Sequence, residues 1–109
     1  MEFKIPMDLE KMQESAHLAT DLLKLLSHPE RLMVLCQLKT GEHSVGELAR
    51  NLNIKQSPLS QHLARMRHEG VVRSRREAQT IYYSIAGKEA EKLVTVLYDL
   101  FCDMTSDDK

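Results

Sequence analysis

Ser44-Val45-Gly46-Glu47-Leu48-Ala49-Arg50-Asn51-Leu52 reads as a short helix, and Asn53-Ile54-Lys55-Gln56 as a turn. Ser57-Pro58-Leu59-Ser60-Gln61-His62-Leu63-Ala64-Arg65-Met66-Arg67-His68-Glu69-Gly70 reads as a second helix. Ser44 and Glu47 have the spacing of a capping box, in which side chain and backbone at a helix start satisfy each other's donors. Ser57-Pro58 opens the second helix, and Gly70 stops it. Leu59, Leu63 and Met66 fall on one face, so only one narrow side is apolar. The other side presents Ser57, Ser60, Gln61, Arg65 and His68. Two capped helices joined by about four residues have the spacing of a helix-turn-helix. Gln and Arg are groups that bond base edges in pairs, and the helix N-terminus with Ser57 suits a phosphate. The motif therefore points to DNA.

Downstream of Gly70 the apolar period changes from 3.6 to 2. Val71 to Arg75 and Thr80 to Ile85 read as two strands, linked by Arg76-Glu77-Ala78-Gln79. This hairpin is expected to be a wing, with Arg75 and Arg76 near its tip beside phosphates or in the minor groove. A last helix runs from about Lys88 to Asp103, with Ala90, Leu93, Leu97, Leu100 and Met104 on one stripe, widened by Val94 and Phe101. Upstream, Leu9, Met12, Ala16, Ala19, Leu23 and Leu26 form one face of a first helix, with Asp8 as its N-cap. Ser27 and Glu30 then read as a second capping box around Pro29. It opens a helix through Leu32, Leu35, Cys36 and Leu38 that stops at Gly41. The predicted order is α-α-α-α-β-β-α: a mainly α, winged helix-turn-helix fold in a single domain over residues 1–109.

The bulk numbers fit one small soluble globular domain. Apolar residues are 42% and charged residues 28% of 109, with a net charge of −1. No apolar run approaches the roughly 18 residues of a membrane span. The segment Met1-Glu2-Phe3-Lys4-Ile5-Pro6 lacks the pattern of a secretory signal, so a cytoplasmic protein without membrane contact is expected. Charge is unevenly placed. Between Lys55 and Arg76 there are six Lys or Arg against the single acid Glu69, whereas the last eleven residues hold four Asp against Lys109. A basic middle in a neutral chain is the footprint of a local phosphate-binding surface.

Several segments together resemble the ArsR family of bacterial repressors. They are Leu26-Ser27-His28-Pro29-Glu30-Arg31-Leu32, Ser44-Val45-Gly46-Glu47-Leu48, Gln56-Ser57-Pro58-Leu59-Ser60-Gln61-His62-Leu63, Gly70-Val71-Val72 and Arg75-Arg76. The likeness covers nearly the whole chain. It implies a homodimer built by the first and last helices (8–26 and 88–104). It also implies that the helix from Ser57 enters the major groove of an inverted-repeat operator, and that an inducer releases the DNA. Region 44–70 is then the helix-turn-helix and 71–85 the wing. The DNA-facing candidates are Gln56, Ser57, Ser60, Gln61, His62, Arg65, Arg75 and Arg76.

The inducer is the open question. Metal-sensing members carry a C-x-C on the helix before the recognition helix, where this chain has Ser44-Val45-Gly46-Glu47-Leu48-Ala49. Others use Asp and His on the last helix, which here has Asp99 and Asp103 but no His. No metal site and no cofactor is expected. Cys36 and Cys102 remain. Free cysteines are most often small buried hydrophobes. Yet this pair, with Leu35-Cys36 and Arg75-Arg76-Glu77-Ala78-Gln79-Thr80, resembles the sulfide- and redox-sensing BigR/SqrR/HlyU subgroup. The resemblance implies an intrasubunit thiol switch that responds to a reactive sulfur species or another oxidant. Alternatives are a metal-responsive or inducer-independent regulator of the same family, a module that dimerises without binding DNA, and, remotely, a small thiol enzyme. The last is disfavoured because Cys36 lies late in its helix and Cys102 is flanked by Asp99 and Asp103, neither of which promotes a thiolate.

Overall fold

The structure is a computed structural model, and it describes residues 8–101. Its elements are α1 (Leu9–Leu26), α2 (Pro29–Leu38), β1 (His43–Ser44), α3 (Val45–Leu52), α4 (Gln56–His68), β2 (Val72–Glu77), β3 (Thr80–Ile85) and α5 (Lys88–Phe101). This is a winged helix-turn-helix. Asp8 caps α1 as expected, accepting from the Lys11 N–H at 2.8 Å. Ser44 and Glu47 close the capping box of α3 in both directions, at 3.2 and 2.9 Å. Gly70, at φ 83°, ends α4 in a Schellman motif: Val71 N–H donates to the Met66 carbonyl and Gly70 N–H to that of Arg67.

Three local expectations change. The capping box at Ser27 and Glu30 does not form. Ser27 instead closes α1, its hydroxyl donating to the Lys24 carbonyl, and His28 caps α2 through Nδ1, which accepts from the Glu30 N–H at 3.2 Å. Helix α4 starts one residue early, at Gln56, with Lys55 as an N-cap that makes no side-chain bond. Asn53 ends α3 in the left-handed region at φ 55°, which Asn tolerates better than most residues. Strand β2 runs on to Glu77, so Arg76 is paired with Ile81 inside the ladder and only Ala78-Gln79 forms the turn.

The sheet also has a strand that periodicity does not show. β1 pairs antiparallel with β3, His43 opposite Tyr83 and Ser44 opposite Tyr82, which gives the order β1-β3-β2. Two residues are too few for a period-2 signal, and their pairing is a tertiary event. Through β1 the wing is paired directly with the segment that ends in the cap of α3.

The core is one cluster. Leu35, Leu48, Leu59, Leu63, Met66, Val34 and Val94 are fully buried, joined by Leu25, Leu26, Leu38, Ile54, Val71, Val72 and Ala90. Helix α1 contributes only its last turn to this cluster. Leu9, Leu18 and Leu23 remain exposed, as do Val96, Leu100 and Phe101 on α5. The radius of gyration is 16.4 Å, against roughly 13 Å for a compact chain of this length.

Ala78 sits in the turn at φ 57°, a left-handed conformation that costs an L-residue roughly 1–2 kcal/mol. Ala78→Gly is therefore expected to raise stability by about 0.5–1 kcal/mol, even after the greater chain entropy of glycine. Thermal unfolding checks this: a lowered midpoint would show that the turn is not strained there.

Candidate nucleic acid interface

Helix α4 owes its orientation to its inward side. Leu59, Leu63 and Met66 are buried against α2 and α3, which turns Gln56, Ser57, Ser60, Gln61, Ala64, Arg65 and His68 to solvent. Ser57, Ser60, Gln61, Ala64, Arg65 and His68 recur at spacings of three and four, so they form one exposed stripe. The structure thus brings five of the eight candidates, Gln56, Ser57, Ser60, Gln61 and Arg65, onto one helix surface. Ala64 keeps the middle of that stripe low. An α-helix leaves its first N–H groups without intrahelical partners, and Lys55 supplies no side-chain acceptor for them. The start of α4 is therefore a concentration of donors with a cation beside it.

His62 is placed differently. Its ring is largely buried, Nε2 lies 3.0 Å from Glu30 Oε1, and the ring stands 4.5 Å from that of His28. His62 faces α2, not the outer stripe, and ties α4 to the first turn of α2. The signal was present in the sequence: Leu59, His62, Leu63 and Met66 stand at i, i+3, i+4 and i+7, so His62 belongs to the inner face. Arg31, on the same turn of α2, donates Nε to the Leu25 carbonyl at 2.6 Å. Burial lowers the pKa of Arg31, and the charge of Arg65 lowers it further.

The two wing arginines are also separated. Successive strand residues point to opposite faces, so Arg75, opposite Tyr82, and Arg76, opposite Ile81, leave the sheet on different sides. Arg75 is engaged by Glu42 and Glu77. Arg76 makes no ion pair among the described residues and is exposed.

Cys36 is partly buried in the last turns of α2 and packs against the core cluster. It lines an apolar hollow of about 500 Å³ with Leu32, Met33, Leu52 and, from α5, Tyr98. Lys39 Nζ sits 5.0 Å over the Tyr98 ring, a cation–π contact between the end of α2 and the later part of α5. Cys102 and Met104 lie outside the described residues. Among the described residues no group of three or more His, Cys, Asp or Glu is arranged to hold a metal. No described helix is long and apolar enough to cross a membrane.

Comparison with known proteins agrees with this geometry. Residues 28–74 match the family model of bacterial regulatory proteins of the ArsR family. The chain is 42% identical over 97 residues to the transcriptional activator HlyU of Vibrio cholerae, covering 89% of this chain and 90% of that protein. It is 47% identical over 94 residues to the biofilm growth-associated repressor of Agrobacterium fabrum, covering 86% and 80%. The solved structure of reduced HlyU from Vibrio cholerae superposes with a TM-score of 0.84 at 41% identity, over 87% of this chain and all of that one.

Proposed function

Because the chain belongs to the ArsR family of bacterial regulatory proteins, we propose that it is a cytoplasmic, homodimeric, sequence-specific DNA-binding repressor, released from its operator by oxidation or persulfidation of Cys36 and Cys102. The observation that carries the DNA-binding reading is the polar stripe of α4, held outward by three fully buried apolar side chains and followed at once by a basic hairpin. In this reading Gln56, Ser57, Ser60, Gln61 and Arg65 meet the major groove and Arg76 meets backbone or minor groove. Relatives named as an activator and as a repressor both support a transcription regulator, and the repressor supports the sign.

Dimerisation is supported by α1 and α5. Their exposed Leu9, Leu18, Leu23, Val96, Leu100 and Phe101 are a large apolar area for a lone small domain. A two-fold dimer presents two recognition helices, so the operator is an imperfect inverted repeat. The thiol switch is supported by the meeting of α2 and α5 at the hollow that Cys36 lines with Tyr98, since Cys102 follows Phe101 directly in the chain. Exchange needs no cofactor. The Cys36 thiolate attacks a disulfide or polysulfide donor and expels a thiolate. The second cysteine then displaces the remaining donor fragment and closes the bridge.

Titration of an inverted-repeat duplex is expected to show dimeric binding that weakens steeply with salt, because phosphate contacts release counterions. Gln61→Ala is expected to cost about 1–3 kcal/mol on the operator, with a smaller loss on random duplex, so the preference relaxes. Arg76→Ala is expected to weaken operator and random DNA alike. Unchanged affinities for both duplexes in Gln61→Ala would show that α4 reads DNA through another face.

A further inference from the structure

We propose that Arg75 is a positioning residue of the wing, clamped by Glu42 and not spent on DNA, which leaves Arg76 as the wing arginine that meets phosphate. The inference rests on the DNA-binding reading above.

The Arg75 guanidinium is already engaged on several sides. Nε donates to Glu42 Oε2 at 2.7 Å and Nη2 to Glu42 Oε1 at 2.8 Å, a two-pronged pair, while Nη1 donates to Glu77 Oε1 at 2.9 Å. Its centre lies 4.7 Å over the Tyr82 ring. A fork of this kind fixes direction as well as distance, which a single point charge does not. The hydrogen bond from Arg75 also holds the Glu42 carboxyl below its ordinary pKa, so the pair stays charged through the neutral range.

The two ends of the clamp belong to different parts of the fold. Arg75 is on β2, at the far edge of the sheet, and Glu42 immediately precedes β1 at the opposite edge. The clamp therefore spans β3 and fastens the outer strand of the wing to the connection that leaves α2. A phosphate reaching Arg75 has to expel one carboxylate and stand beside another. Arg76, on the opposite sheet face, has no carboxylate partner among the described residues.

The test is DNA binding by the full chain across a salt series, for wild type, Glu42→Gln, Arg75→Gln, the double variant, Arg75→Lys and Arg76→Ala. Exposed ion pairs add little to global stability, so these variants fold, and urea midpoints check it. Glu42→Gln and Arg75→Gln are each expected to weaken operator binding by about fivefold, the size of one well-formed exposed pair. The double variant should be no worse than Arg75→Gln alone, because the Glu42–Arg75 contact is already lost in that variant. Arg75→Lys, which keeps the charge and loses the fork, should behave like Arg75→Gln. None of these should change the slope of log affinity against log salt, whereas Arg76→Ala should reduce it by about one phosphate's worth. Tighter binding by Glu42→Gln, a reduced slope in Arg75→Gln, full binding by Arg75→Lys, or no effect of either single variant would overturn the proposal. Wild-type protein that binds no duplex at any salt would instead overturn the DNA-binding reading beneath it.

Discussion

Treatment with an organic polysulfide or disulfide is expected to lower operator affinity by about 5- to 150-fold, the range of ordinary allosteric coupling. The Cys36→Ser, Cys102→Ser double variant is expected to keep its DNA through the same treatment. Helix α2 links the two sites. Cys36 lies in its later turns, facing the hollow that Tyr98 of α5 shares. The first turn of the same helix holds α4 through Glu30 and His62 at 3.0 Å. A bond closed at one end of α2 acts on a helix whose other end carries the recognition helix. A plain disulfide needs Cα atoms within roughly 7 Å, and each added sulfur relaxes that limit, so donors that leave extra sulfur are expected to work best. The oxidised form must fit DNA less well than the reduced form, or nothing is switched. Each single Ser variant should bind DNA when reduced and fail to release it. Non-reducing gels should show no covalent dimer, and intact mass should count the sulfur atoms gained. Release by the double variant would mean that the cysteines only pack and that the signal enters elsewhere.

Leu63→Ala is expected to cost about 2–5 kcal/mol of folding stability, a large share of the roughly 5–15 kcal/mol of a domain this size. Leu63 is fully buried, between Leu59 and Met66 on the inner side of α4. Truncation leaves a cavity where α4 seats on α2 and α3. The urea midpoint should fall with no change in slope, which separates lost stability from a change in the surface exposed on unfolding. DNA binding should fail at warm temperature through the unfolded population and recover on cooling, with the salt slope intact. A midpoint shifted no more than by an exposed substitution would remove Leu63 from the core. Gln61→Ala, two residues away and exposed, should show the reverse: altered DNA preference with an unmoved midpoint.

The inner and outer sides of α4, the Ser44–Glu47 box and the Gly70 stop are local patterns, and local patterns are written in consecutive residues. The cap of α2 is His28 where the capping-box spacing points to Ser27. The Ser27 hydroxyl closes α1 instead, a use of the side chain that spacing alone does not distinguish. Glu42 and Glu30, which engage Arg75 and His62, lie 33 and 32 residues away, so only the fold reveals these two pairings. Strand β1 is similarly invisible, because a pair of residues becomes a strand only when β3 arrives beside it.

The order β1-β3-β2 leaves β2 as an outer edge six residues long, open to pairing with any extended chain. Four of those residues are charged: Arg73, Arg75, Arg76 and Glu77. Charged side chains along an exposed edge are a common guard against strand-to-strand aggregation. A charged wing edge therefore acts against self-association through β2. Variants that neutralise several of these charges together will lose solubility along with affinity, and light scattering belongs beside every binding curve measured on them.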